Sequence, residues 1–132
     1  MSDRTLRFCV GALASAGLLV AGYLTYARYS GTTITCSTGG CETVQESSYA
    51  TLGGVPVPVL GLLGYAALLT TAFFVQDVAR AAGAALALGA FVFSAYLLYV
   101  QLALIDAVCD WCVVSDAIVT AVVPFAVLRL RR

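Results

Sequence analysis

The chain has 132 residues, of which 61% are hydrophobic and 11% charged; seven Arg balance seven Asp and Glu, and Lys and His are absent. A soluble domain usually carries about 25% charged residues, and a nucleic-acid footprint needs clustered Arg and Lys. The balance therefore argues against nucleic acid as a partner, and the length fits one domain.

In chain order, the charges mark the ends of apolar runs. Phe8 to Ala27 is uncharged and lies between Arg7 and Arg28. Pro58 to Val75 forms the core of a second run, which ends before Asp77. Ala81 to Ile105 is the third, between Arg80 and Asp106, and the fourth opens near Cys109 and ends before Arg129. A spanning helix needs about 20 mostly apolar residues. The pattern predicts an all-α membrane protein, a four-transmembrane-helix bundle forming a single domain over 1–132. Its helices fall at about 8–27, 57–75, 81–105 and 109–129, with an extracytoplasmic loop over 28–56. Folded in water, four such helices would leave almost no polar surface.

The first run follows Arg4 and Arg7 as a signal peptide would, but secretory apolar cores span roughly 7–15 residues. This run is longer and ends in Tyr23, Tyr26, Arg28 and Tyr29, which reads as an interfacial anchor and a retained helix. Arg4, Arg7, Arg80, Arg129, Arg131 and Arg132 fall on one side of a four-pass arrangement, and Arg28 alone on the other. The positive-inside rule then makes both termini cytoplasmic, in a multi-pass protein of the cell membrane. The loop beyond Arg28 and the short turn around Asp106 to Asp110 face the opposite compartment, where disulfides persist.

Within that loop, Thr32 to Thr35 suit extended backbone, and Gly39-Gly40 suits a turn. Pro56 and Pro58 suit the approach to the second helix, where backbone donors lack partners anyway. The connection around Gln76 to Arg80 is tight. Small residues stud the third helix, so neighbours can approach closely. Pro124 is expected to bend the fourth helix.

Of five cysteines, Cys9 lies within the first helix and reads as a small buried hydrophobe. The other four all fall on the extracytoplasmic side. Cys109-Asp110-Trp111-Cys112 is a C-x-x-C where the fourth helix begins. Exposed N–H groups and the positive dipole end there favour a thiolate, the species that attacks and leaves in disulfide exchange. Cys36 and Cys41 form a second pair around Gly39-Gly40. Three readings remain open on the residues alone: a two-dithiol redox relay, a scaffold with two structural disulfides, and a Cys₄ metal site, of which the relay uses the placement best. No metal ligand set is assigned.

The stretch CSTGGCETVQESSYATLGGVPVPVLGLLGY, followed by CDWCVVSDA, resembles the bacterial branch of the vitamin K epoxide reductase family. The resemblance covers essentially the whole chain: four helices, the wider cysteine pair in the first loop, and the C-x-x-C opening the last helix. A second class of four-helix membrane thiol oxidases places these pairs in the reverse order. The resemblance implies a thiol:quinone oxidoreductase. Cys36 receives electrons from a thioredoxin-fold protein, Cys41 exchanges with Cys109, and Cys112 faces a quinone, menaquinone or ubiquinone. Many bacterial members carry a fused thioredoxin-like domain; the partner expected here is separate and extracytoplasmic. Reduction of vitamin K epoxide would use the same cysteines. Ser47, six positions after Cys41, matches a serine near the family's active site and is assigned with Asp116 to quinone binding.

Asp116 also stands out without the resemblance. An ionisable residue inside a spanning helix is expensive and is a functional-site hypothesis by default. It lies four residues after Cys112, one turn deeper on the same face. There it can hydrogen-bond a quinone oxygen or supply it with a proton; alternatively it is a bundle-facing residue bonded to Ser115, Thr120 or a tyrosine. A hydroxyl or small residue is usual in the family at this position, so the carboxyl is a departure.

Overall fold

Ser2 starts the first helix: its side-chain oxygen accepts the Thr5 N–H at 3.3 Å and its carbonyl accepts the Leu6 N–H at 3.0 Å, as an N-cap does. Helix α1 then runs over Asp3–Ser30, past both arginines that bound the uncharged run. The computed structural model describes residues 2–30, 51–52, 55–105 and 110–131. Strand β1 (Thr51–Leu52) pairs antiparallel with β2 (Val55–Pro56), in the register Thr51 with Pro56 and Leu52 with Val55. Strand β2 leads directly into α2 (Val57–Ala72), with Pro58 in its first turn. Helix α3 covers Asp77–Tyr99 and continues as a π-helical segment, Val100–Ile105. Helix α4 covers Asp110–Leu130 and passes through Pro124 without interruption.

The protein is an all-α membrane bundle. Helices α1, α3 and α4 are long and apolar enough to cross a bilayer, and α2 is a shorter apolar helix. The packing closes into a ring: α1 lies against α2 and α4, and α3 lies against α4 and, less extensively, α2. Large apolar side chains such as Leu19, Leu63, Val78 and Val92 point outward, as a lipid-facing surface requires. Inside, lipid offers no hydrophobic drive between helices, so close contact must come from small residues. Ala14, Ala21, Ala72, Ala87 and Ala126 are buried in the main core beside Val10, Leu68, Val119 and Val122. Along α3 the inward line is Ala79, Gly83, Ala84 and Ala87, which fulfils the small-residue expectation. Gly17 is buried because Tyr65 lies over it; a Cβ there would fall within the tyrosine ring.

Arginines close one end of the bundle. A helix leaves its last carbonyls without intrahelical partners, and α2 finishes inside the protein. Arg7 answers two of them, donating from Nε to the Ala72 carbonyl at 2.8 Å and from Nη2 to that of Phe73 at 3.2 Å. Arg129, 2% exposed, donates from Nη1 to the Thr71 carbonyl at 2.8 Å and from Nη2 to that of Phe74. Its Nε meets Asp3 Oδ1 at 3.4 Å, and Arg80 Nη2 reaches the same oxygen at 3.6 Å. This explains the helix ends. Residues 3–7 are helical although charged: Asp3 is paired with Arg80 and Arg129, and Arg7 is hydrogen-bonded to carbonyls of the bundle. Helix α2 stops at Ala72 because the arginines take its carbonyls, and Asp77 to Arg80, expected within the connection, form the first turn of α3.

Candidate functional site

Toward the other end the four helices part around a cavity of about 730 Å³, within the usual range for small-molecule sites. Each helix contributes to its wall: Leu24 from α1, Gly61 and Tyr65 from α2, Gly89 and Phe93 from α3, and Val119 from α4. Most of the wall is aliphatic or aromatic. The polar exceptions are Tyr65, Ser94, Gln101, Cys112, Ser115 and Asp116.

Cys112 and Asp116 both lie on this wall, one helical turn apart on α4. Cys112 is half-buried and also packs with the small cluster of Val20, Leu24 and Ala27 on α1. Trp111 beside it meets Tyr23 with ring centroids 5.0 Å apart and planes at 53°, a tilted aromatic contact between the first turn of α4 and α1. Cys36, Cys41, Ser47 and Cys109 lie outside the described residues. Cys9 sits within α1, half-buried and away from the cavity wall.

Asp116 is half-buried, and its Oδ2 is buried with no hydrogen-bond partner among the described residues. Ser94, on the facing helix α3, lies on the same cavity wall as the carboxyl group. Thr120 donates to the backbone carbonyl of Asp116 at 2.8 Å and leaves the carboxyl alone. Ser115 is engaged by Tyr65, whose hydroxyl lies 2.6 Å from Ser115 Oγ and 3.1 Å from its carbonyl oxygen.

Three polar wall residues escaped the sequence reading, Tyr65, Ser94 and Gln101, and Ser115 was named there only as a possible partner of Asp116. The signal was available for two of them. Ser94 and Gln101 interrupt an otherwise apolar span and are seven residues apart, which is two helical turns and hence one face. The same logic had picked out Asp116. Gln101 lies in the π segment, a feature often found at functional sites. There the successive residues Val100 and Gln101 are both buried, at 1% and 2% exposure.

A membrane-spanning helical bundle with an apolar cavity beside the second cysteine of a C-x-x-C is an integral membrane protein with a thiol on its cavity wall. Residues 8–127 match the vitamin K epoxide reductase family, and the chain belongs to that family. It is therefore a membrane oxidoreductase, of a family that works in general with thiols and with quinones or vitamin K.

Proposed function

We propose that the chain is a thiol:quinone oxidoreductase that supports disulfide-bond formation. Electrons pass from a separate thioredoxin-fold dithiol partner through Cys36/Cys41 and then Cys109/Cys112 to a quinone. The observation that carries this reading is the place of Cys112, on the wall of an apolar cavity shared by all four helices. A lipophilic ring with oxygen substituents fits such a wall, which is apolar throughout except for a few hydrogen-bonding groups.

The exchange balances at each stage. The partner's dithiol becomes a disulfide as the Cys36–Cys41 disulfide is reduced, through a bond from the partner to Cys36. Cys41 then attacks Cys109 of the Cys109–Cys112 disulfide and releases Cys112 as a thiolate; Cys36 attacks Cys41, so the Cys36–Cys41 bond re-forms and Cys109 is released. The Cys109/Cys112 pair closes again while two electrons and two protons pass to the quinone, which leaves as the quinol. The quinone supplies the two-electron acceptor. Asp116 contacts its head group and holds a proton for one oxygen, in a site where water is scarce; Ser47 is proposed to border the same site.

Both termini are proposed to be cytoplasmic in a cell membrane, which the gathering of Arg7, Arg80 and Arg129 at one end of the bundle supports. Membrane-impermeant thiol reagents applied outside reduced cells should then label Cys36 or Cys41. Labelling that needs a breached membrane would reverse the orientation.

The decisive experiment follows quinone consumption by the full chain with a reduced thioredoxin-fold substrate. Turnover is expected, and a non-enzymatic scaffold would consume none. Cys36→Ala should keep turnover with dithiothreitol and lose it with the protein partner. Asp116→Asn retains size and a hydrogen-bond donor but cannot deliver a proton. Its turnover should fall by about 10²–10⁴-fold, the usual range for general acid catalysis, with the Cys41–Cys109 exchange intact by rapid-quench trapping. Wild-type turnover in this variant would remove Asp116 from the chemistry.

A further inference from the structure

We infer that Tyr65 and Ser115 form a positioning clasp that sets the rotation of α4 and so aims Asp116 into the cavity; this rests on the proposed role of Asp116 at the quinone. A helix with one polar and one apolar face is oriented by that asymmetry. Helices α2 and α4 show almost no net asymmetry along their length, and lipid gives no hydrophobic preference for either face. Directional contacts therefore help to set their mutual rotation. Among the described residues, hydrogen bonds join them at two places. One is Arg129 on the Thr71 and Phe74 carbonyls at the closed end. The other is Tyr65 on Ser115, fourteen residues away along α4, or about 21 Å at 1.5 Å per residue.

The second contact is reciprocal. A phenol has one proton to give and can also accept. Tyr65 donates to the Ser115 carbonyl at 3.1 Å, and its oxygen lies 2.6 Å from the Ser115 hydroxyl, a bond in which either hydroxyl can donate. Both hydroxyls are engaged with each other beside Asp116, the next residue along α4. Tyr65 itself cannot drift, because it is 3% exposed and its ring is seated over Gly17. The clasp thus acts one residue from the carboxyl.

The test is a double-mutant cycle on the full chain in detergent, with dithiothreitol and a short-chain quinone in single turnover. Tyr65→Phe keeps the ring and removes the hydroxyl. It should lower quinone reduction by about five- to tenfold, the worth of one or two net hydrogen bonds, with Cys112 alkylation unchanged. Ser115→Ala, which keeps the bond to the carbonyl, should lose less, and it carries the test alone if Tyr65→Phe does not fold. In the Asp116→Asn background either substitution should cost less than about twofold, because residues that act through one another are not additive. An equal loss in both backgrounds would overturn the clasp as a positioning device and leave the Asp116 reading standing. Full activity of Asp116→Asn alone would overturn both, and the two failures are distinguishable.

Discussion

The two ends of the bundle solve one problem in opposite ways. Each must hold polar groups where water is scarce. At the closed end, Arg7 and Arg129 direct their donors at backbone carbonyls, and Asp3 sits between two guanidinium groups. The result is cross-linked: α1, α2, α3 and α4 are all tied to one turn. At the cavity end the polar groups are few and sit on an apolar wall, and one of them, Asp116, keeps a buried oxygen with no partner among the described residues. A buried polar atom without a partner costs roughly 1–3 kcal/mol, and such exceptions call for an explanation. The closed end has its polar groups cross-linked, and the cavity end has an unpartnered oxygen on an apolar wall.

If that division holds, substitutions at the two ends should separate stability from activity. The largest effect expected is at Cys112. Cys112→Ser should reduce quinone turnover to background while the melting temperature in detergent stays that of the parent, and a mixed disulfide between Cys41 and Cys109 should accumulate. Residual turnover would mean that the electrons leave by another sulfur. The converse is Arg129→Gln, which shortens the side chain and removes the charge beside Asp3. Breaking a buried ion pair costs about 3–5 kcal/mol, so this variant should melt far earlier. Turnover per folded molecule, measured well below the melting point, should change little. A loss of turnover without a loss of stability would show that the ends are coupled.

The architecture was legible because lipid imposes a simple rule: a long run without charge is a span. That rule also set the limits of what could be read. It placed helix ends at Arg7 and Asp77, since a charge was taken to mean an exit from the membrane. In the fold both residues lie within helices: Arg7 is paired with the α2 carbonyls, and Asp77 opens α3. The chain alone cannot show that a distant segment supplies those carbonyls. Cys112 and Asp116 were legible as neighbours because i and i+4 share a face. Tyr65 was not, because its importance depends on a partner fifty residues away. The π segment was hidden for a similar reason, as nothing in VQLALI distinguishes it from ordinary helix.

Glycine gives a gentler version of the same comparison. Gly17→Ala would drive a methyl into the Tyr65 ring. Overpacking of a close contact costs typically about 1–3 kcal/mol. This variant should lose stability and also disturb the Tyr65–Ser115 contact, so turnover should fall with it.

Gly64, the residue immediately before Tyr65 on α2 and on the wall of the same cavity, should behave differently. A Cβ at Gly64 meets no atom within 4 Å, although the residue lines the cavity. The methyl therefore enters open space rather than a packed contact. Helical glycine is intrinsically less favourable than alanine by roughly 0.5–1 kcal/mol, so Gly64→Ala should leave the melting temperature unchanged or slightly raised. Its effect belongs to the ligand instead: a narrower cavity should raise the quinone KM by a small factor and leave kcat, and reaction with dithiothreitol, as in the parent. A melting temperature several degrees lower would show that the wall at Gly64 is packed rather than open.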